Sequence, residues 1–312
     1  MNPPVPVYSV MTRTLRLALA VPALAVSVAG CTIQMDAQAF IEREEKRFPA
    51  GAAPEVSLTT FDGSIQVRPW DRPEVLVEIE KRGSDKEAVS GIQIVADAKD
   101  NHVSVDVRKP SNEKEFVGIG IHHSTSARLI ASVPRGAKLI VSTRDGSITV
   151  ERIDGQLELR TDDGSVRVSE AAGDVLVVTR DGSITLERVA GRVDARSGDG
   201  SIRVNGTPTS LALETRDGSV SVRAERGTAM VDDWSVRTGD GTVVVELPEG
   251  FGAEIDAETQ DGSVRNSLDM PNASTEEASR RSDRHTLRGT LGAGGKTLKL
   301  RTSDGSIRLR AS

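Results

Sequence analysis

The chain has 312 residues and a formal charge of −6, with 28% charged, 37% hydrophobic and only 3% aromatic side chains. An acidic chain without a basic run is a poor ligand for phosphate backbones, so nucleic acid is not an expected partner. So few rings give little support for sugar binding by stacking, and the single cysteine, Cys31, excludes an internal disulfide.

In chain order, Arg13 and Arg16 lead into an apolar run from Leu15 to Val28 that ends in Val28-Ala29-Gly30-Cys31. The run is too short to span a bilayer comfortably and has the charge-then-apolar order of an export signal. Its end resembles the lipobox of bacterial lipoproteins, in which a small-residue cleavage site precedes a cysteine that is lipidated and becomes the mature N-terminus. Residues 1–30 are therefore expected to be a lipoprotein signal peptide, with Met11 the better start, and Cys31 the lipid anchor. Removing 1–30 takes away Arg13 and Arg16 and no acidic residue, so the charge moves from −6 to −8. Thr32 follows the anchor where an Asp usually retains lipoproteins at the inner membrane, which favours the outer membrane if the cell has one. Residues 31–54 read as a tether.

From residue 55 to 312 the pattern is that of strands. Val56 to Val67, Glu74 to Glu80, Ile92 to Ala96 and Val103 to Val107 alternate apolar with polar residues, and an insertion follows from Lys109 to Ser126. Then an Asp-Gly step followed by Ser or Thr and by Ile or Val sets the rhythm. It occurs at Asp62, Asp145, Asp163, Asp181, Asp199, Asp217, Asp240, Asp261 and Asp304, and the five from Asp145 to Asp217 are evenly spaced, eighteen positions from each to the next. A fixed period of this length marks a stacked supersecondary unit. Within one unit, Ile148 and Val150 alternate with Thr149 and Glu151, and Leu157 and Leu159 with Glu158 and Arg160. Asp145-Gly146 and Asp154-Gly155 read as turns, with glycine supplying a positive φ and Asp bonding the backbone ahead of it. Residues 127–263 are the most regular part. The spacing loosens after Asp217, Trp234 falls in the first enlarged unit, Leu268 to Arg284 is a polar loop, and Leu298 to Leu309 ends the chain with a last strand, turn, strand.

Two folds fit such a unit: a β-solenoid, in which each 18-residue unit is one coil, and an antiparallel meander of hairpins. The solenoid is preferred, because a meander leaves one apolar face open and no amphipathic helix in the repeats could cover it. About five apolar side chains per coil, at about 1.5–3 kcal/mol each, cannot offset the backbone entropy of the whole unit at about 1–2 kcal/mol per residue. Stability must then come from stacked neighbours, with irregular caps at both ends.

The run from Arg128 through Ser132-Val133-Pro134-Arg135-Gly136 to Asp145-Gly146-Ser147-Ile148 is followed by alternating Gly-x-Leu/Val-x-Leu/Val-x-Thr and Asp-Gly-Ser-Ile/Val units. Together with the opening Phe61-Asp62-Gly63-Ser64-Ile65-Gln66-Val67-Arg68-Pro69-Trp70-Asp71, this resembles a bacterial envelope family called putative adhesins, a domain of unknown function, over roughly residues 55–310. The resemblance implies a β-helix-like solenoid at the cell surface, and its motifs carry no catalytic residue.

Chemistry is sparse in the repeats. From Leu139 to Ser263 there is no His, Cys, Lys or Tyr, which removes most metal sites, thiol chemistry, imidazole bases and Schiff-base lysines. Asp162 with Asp163 and Asp232 with Asp233 are the candidate acidic clusters, each with a structural reason to stand at a turn. A column of turn aspartates about 5 Å apart would repel by about 0.8 kcal/mol per pair in water. Arg144, Arg180 and Arg216, each directly before a turn Asp, are expected to neutralise them in place of calcium. His122 and His123 in the insertion read as solvated, Trp70 and Trp234 as cap or core residues, and the sequon Asn272-Ala273-Ser274 as uninformative in an exported bacterial chain. No catalytic residue, cofactor or metal is expected. The leading expectation is a non-enzymatic, membrane-anchored envelope scaffold with adhesin-like interactions, its partners being the membrane through the lipid and an envelope protein or glycan. The alternatives are a polysaccharide-active enzyme using paired carboxylates and a sensor of envelope stress or cationic compounds.

Overall fold

The computed structural model describes residues 40–109, 125–274 and 285–312. Among them are 22 strands and one short helix, Lys86–Ser90, so the chain is all-β. The helix is capped by Asp85, whose carboxylate accepts a hydrogen bond from the Ala88 amide.

In the middle of the chain, each Asp-Gly turn joins two short strands that belong to different parallel ladders. In one ladder Lys138–Thr143, Leu157–Thr161 and Val175–Thr179 lie side by side, with Leu139, Leu157 and Val175 in register. In the other, Ile148–Glu151, Val166–Ser169 and the first part of Ile184–Ser197 do the same, with Ile148, Val166 and Ile184 aligned. Each step between partners equals the sequence period, and each pair is parallel, so tight hairpins do not form here. The inward apolar residues of both ladders are buried and share one hydrophobic cluster, Leu157, Leu159, Val166 and Val168 being at most 1% exposed. Alternation of β-branched and polar residues produces this by giving every strand one apolar face. Two long strands, Ile184–Ser197 and Ile202–Thr215, run through both ladders and join all 22 strands into one hydrogen-bonded sheet.

The regular step does not extend over the whole domain. Beyond Asp217 it lengthens, pairing Ala212 with Ser235 and Val220 with Val243. The next neighbours are then taken out of chain order. Thr297–Thr302 inserts between Trp234–Thr238 and Ala253–Thr259, and Ile307–Ala311 between Val243–Leu247 and Val264–Asn266. The last strand, turn, strand thus occupies an inner layer. The N-terminal side does likewise: Glu55–Thr60 and Ile65–Trp70 stack on Lys138–Thr143 and Ile148–Glu151, while His102–Arg108 and Ser126–Pro134 form the layer outside them. Those outer strands flank the insertion, whose residues 110–124, with His122 and His123, lie outside the described residues.

The expected irregular ends are antiparallel additions. Gln93–Lys99 pairs with His102–Arg108, Glu74–Gly83 with Ser126–Pro134, and Thr286–Leu291 with Ala253–Thr259. Phe40–Pro49, within the stretch read as tether, is a strand paired along its length with Glu74–Gly83. Its sequence carries charges on both faces and so shows no apolar alternation. Those charges are used: Arg43 pairs with Glu80 at 2.8 Å, and the buried Lys81 ammonium is held by Glu44. Charged side chains on an outermost strand also discourage further strand addition.

The turns correct the expected role of glycine. Gly146, Gly164, Gly182, Gly200 and Gly218 do not have positive φ. They are glycine because a Cβ would lie 1.7 to 2.1 Å from the carbonyl oxygen of the equivalent glycine one layer away. Gly155 is excluded from bearing a side chain in the same way, by the Ala137 carbonyl at 2.1 Å. Left-handed backbone appears instead at Arg152, Glu170 and Arg188, with φ of 53°, 57° and 52°, one per layer on the opposite side. The fourth place in that column is Gly206, at φ 145°.

The side chain that closes each turn is a buried Thr or Ser two positions before the Asp. Thr161 donates to the Gly146 carbonyl at 3.0 Å and accepts from the Gly164 amide at 3.2 Å. Ser197 donates to Gly182 at 3.0 Å and accepts from Gly200 at 2.9 Å, and Thr302 repeats the pattern with Gly241 and Gly305. Every one of the Asp-Gly turns has such a residue, from Thr60 to Thr302, and all of these are buried. Each hydroxyl therefore spans two layers at a place water does not reach, where an unmade hydrogen bond costs about 1–3 kcal/mol.

Gly182→Ala is expected to destabilise the chain by about 3 kcal/mol or more, the upper range for overpacking, because the atoms it meets are backbone. Asp181→Ala, which changes only an exposed carboxylate in the same turn, should stay within about 0.5–1 kcal/mol. Urea denaturation of both variants distinguishes them; equal midpoints would reject the stacking account.

Candidate functional surfaces

The turn aspartates project outward from the hydroxyl spine and form a column along one edge. Arg180 bridges two of them, bonding Asp163 at 2.6 Å and approaching Asp181 at 3.4 Å. Arg216 does the same for Asp199 and Asp217. These hydrogen bonds, above all those to Asp163 and to Asp199, hold both guanidinium groups above their ordinary pKa. Two of the three arginines singled out in the sequence thus bridge turn carboxylates. Arg144 contributes its backbone carbonyl, which accepts from the amides of Asp162 and Asp163.

The residue before the Asp is Gly239, Gln260 or Ser303 in the C-terminal layers, and there the aspartates face one another unneutralised. Asp304 is exposed, yet partial desolvation by its neighbours, then the charges of Asp240 and Asp261, push its carboxyl above the ordinary carboxylate value. At the other end Asp62 is pushed up by burial and by Asp145.

The acidic clusters are tied into the fold. Asp163 holds Arg180, as above. Asp232 pairs with Arg192 at 2.8 Å, and Asp233 accepts the Thr297 amide at 2.8 Å, stitching the loop before Trp234 to the inserted strand. Among the described residues, no group of three or more His, Cys, Asp or Glu side chains is gathered as a metal site would need. Trp234 is fully buried and packs on Phe251 with ring centroids 5.5 Å apart. Trp70 donates its indole N–H to the Glu74 carbonyl at 2.7 Å beneath the Arg72 guanidinium. Both tryptophans are structural. Asn272 and Ser274 are exposed, and Cys31 lies outside the described residues.

An open groove of about 800 Å³ lies on the outer face of the first ladder. Arg196, Arg216, Arg237, Lys299 and Arg301 line it, with Glu214 and Glu258. One row runs across the strands as Arg196, Glu214, Arg237, Arg301, Glu258. The row beyond the buried Thr carries Gly198 and Gly239, which leave gaps beside Arg216. Arg301 is committed to Asp256, and Arg196 to Asp194 at 2.8 Å. Burial pushes the Asp256 carboxyl up, but hydrogen bonds and charge from Arg301, then Arg288, hold it below the ordinary value. Sequence reasoning missed this groove. The residue before each buried Thr could have been aligned, but Arg237 and Arg301 are distant along the chain, and only the out-of-order insertion makes them neighbours.

These features define a repetitive all-β protein whose stacked turns are closed from within. Residues 54–310 match the model of the Toastrack DUF4097 family, and the chain belongs to that family. Solved structures similar to it include a putative cell adhesion protein from Clostridium sporogenes ATCC 15579, at 12% identity and TM-score 0.29, covering 88% of this chain and all of that one. A putative lipid binding protein from Parabacteroides distasonis ATCC 8503 shares 11% identity at TM-score 0.44, covering 86% and 96%. A putative adhesin from Parabacteroides merdae ATCC 43184 shares 10% at TM-score 0.43, with the same coverage. No curated protein matches the chain.

Asp304 gives a pH test. Its folded pKa is raised, so its favourable contribution is fully present below the unfolded value of about 3.9 and is lost as pH rises through the folded pKa. Asp304→Asn is expected to raise the urea midpoint near pH 7, with the gain shrinking toward pH 4. A gain independent of pH, or a loss near pH 7, would contradict the clustered-carboxylate account.

Proposed function

We propose that the chain is a non-enzymatic, lipid-anchored envelope protein, a β-solenoid whose outer faces act as an adhesin-like interaction scaffold. The observation that carries this reading is the pair of parallel ladders. They set exposed side chains in rows about 4.8 Å apart over many layers, a broad and repetitive surface suited to multipoint contact. The Val28-Ala29-Gly30-Cys31 sequence supports export and acylation at Cys31, with Thr32 favouring the outer membrane if there is one. No helix among the described residues is long and apolar enough to cross a membrane.

The competing enzyme reading needs two carboxyl groups about 5–9.5 Å apart across a substrate. Glu214 and Glu258 are the carboxylates that line the groove, and they stand three strand steps apart, roughly 14 Å at the backbone. Arg237 and Arg301 lie between them.

Two measurements test the proposal. Cys31→Ala should take up no labelled fatty acid and should leave the membrane fraction; continued labelling and membrane association would remove the anchor. Incubation of the purified wild type with envelope polysaccharides should release no new reducing ends. Release that disappears in Glu214→Gln would establish an enzyme.

A further inference from the structure

We infer that the groove between Arg216, Arg237 and Lys299 is a binding site for an acidic glycan, a chain of sugars bearing carboxylates. The inference deepens the scaffold reading above and rests on it. Arg237 and Lys299 are exposed and, unlike Arg196, Arg216 and Arg301, engage no carboxylate among the described residues. They project from adjacent parallel strands, with Arg237 in register with Arg301 and Lys299 in register with Ser235. Arg301, beside Arg237, is already held by Asp256 and Glu258, which leaves Arg237 and Lys299 as the cations of the groove with no carboxylate bound to them among the described residues. A guanidinium fork suits a carboxylate, and Lys299 adds a second point charge one strand over and two positions back.

The space is also shaped for a ligand. Gly239 stands beside Arg216 and carries no side chain; backbone packing requires glycine there, since a Cβ would come within 2.5 Å of the Arg216 carbonyl, and the absent side chain leaves the outer face lower at that place. Its place in the row is an opening flanked by cations, in a groove of about 800 Å³, within the upper range of ligand clefts.

The choice of a glycan over other polyanions follows from the acceptors present. Glu214 lies next to Arg237 in the same row without an ion pair among the described residues, and Glu258 lies beyond Arg301. Two carboxylates in the groove repel any polyanion, polyphosphate and polyuronate alike, but they accept hydrogen bonds from sugar hydroxyls, which every ring of a uronate chain supplies. Gln260 and Ser303 line the same groove and add groups that both donate and accept. No aromatic ring among the described residues lines it, so attachment must come from charge and hydrogen bonding and should weaken with salt.

Calorimetric titration of the full mature chain tests the site, with oligogalacturonate as the acidic probe. A neutral oligosaccharide and single-stranded RNA, each of similar length, are the comparisons. Oligogalacturonate should bind, the neutral sugar and RNA should not, and raised salt should weaken binding. Arg237→Gln combined with Lys299→Gln should lower the affinity at least tenfold while leaving the melting curve unchanged, since neither side chain has a carboxylate partner to lose. Arg203→Gln, on the other ladder, should bind like the wild type. Absence of oligogalacturonate binding, equal binding of RNA or neutral sugar, or an unaffected double variant would overturn the inference. Capture of envelope partners by an oligogalacturonate-negative protein would sink the glycan site alone; failure to capture any would sink the scaffold reading with it.

Discussion

The hydroxyl that spans two layers at each turn is the interaction on which the rest of the structure depends. Thr161, Thr179, Ser197, Thr238, Thr259 and Thr302 each donate to a glycine carbonyl in the neighbouring layer and accept from the glycine amide of their own turn. The bond needs the two backbones in close approach, and that approach leaves no room for a Cβ on either glycine. Ladder register follows from it. If every turn sits directly over the next, strands on both sides begin at the same height, and Leu157 must meet Val175 as Ile148 meets Val166. The apolar faces then close on one another, and the entropy that one unit could not offset alone is shared along the stack.

Stacking identical turns also stacks identical charges. In the regular middle, Arg180 and Arg216 each span two aspartates and hold the column together. Toward the C-terminus the arginine is replaced by Gly239, Gln260 or Ser303, and the exposed carboxyl of Asp304 moves up in pKa through partial desolvation and its acidic neighbours Asp240 and Asp261. Loss of arginine from that position also opens the surface. Gly198 and Gly239 leave gaps on the outer face, and the basic groove lies across them. One substitution pattern thus accounts for the unneutralised carboxylates at the edge and for the concavity beside it.

Much of the local structure could be read from the residues. The alternation in Ile148-Thr149-Val150-Glu151 and Leu157-Glu158-Leu159-Arg160 specified strands with one buried face, and the faces are buried as read. Structural roles for Trp234, Asp232 and Asp233 were also accessible, since each fell at an enlarged or turning unit. Other features were hidden for physical reasons. Phe40–Pro49 carries charge on both faces, so period-two reasoning had nothing to detect. The glycines of the Asp-Gly turns looked like positive-φ residues because that is the common cause of the pair; Gly63 is one, at φ 120°, but from Gly146 to Gly218 the constraint lies in another layer. The turn threonines passed as ordinary strand residues, although their constant position two before the Asp was a usable signal.

The amino-acid sequence by itself determined that the chain is all-β, where its turns fall, and how the repeated units of the middle align, because alternation and Asp-Gly spacing are local properties of the chain. It also carries the charge-then-apolar run ending at Cys31 on which the proposed lipid anchor rests. Only the tertiary structure decided the order of layers at the two ends. Self-similar units present nearly the same edge to any partner, so sequence proximity does not dictate which unit stacks on which. The chain closes by setting its last strand pair between two earlier ones, and that choice brings Arg237 beside Arg301 and creates the groove.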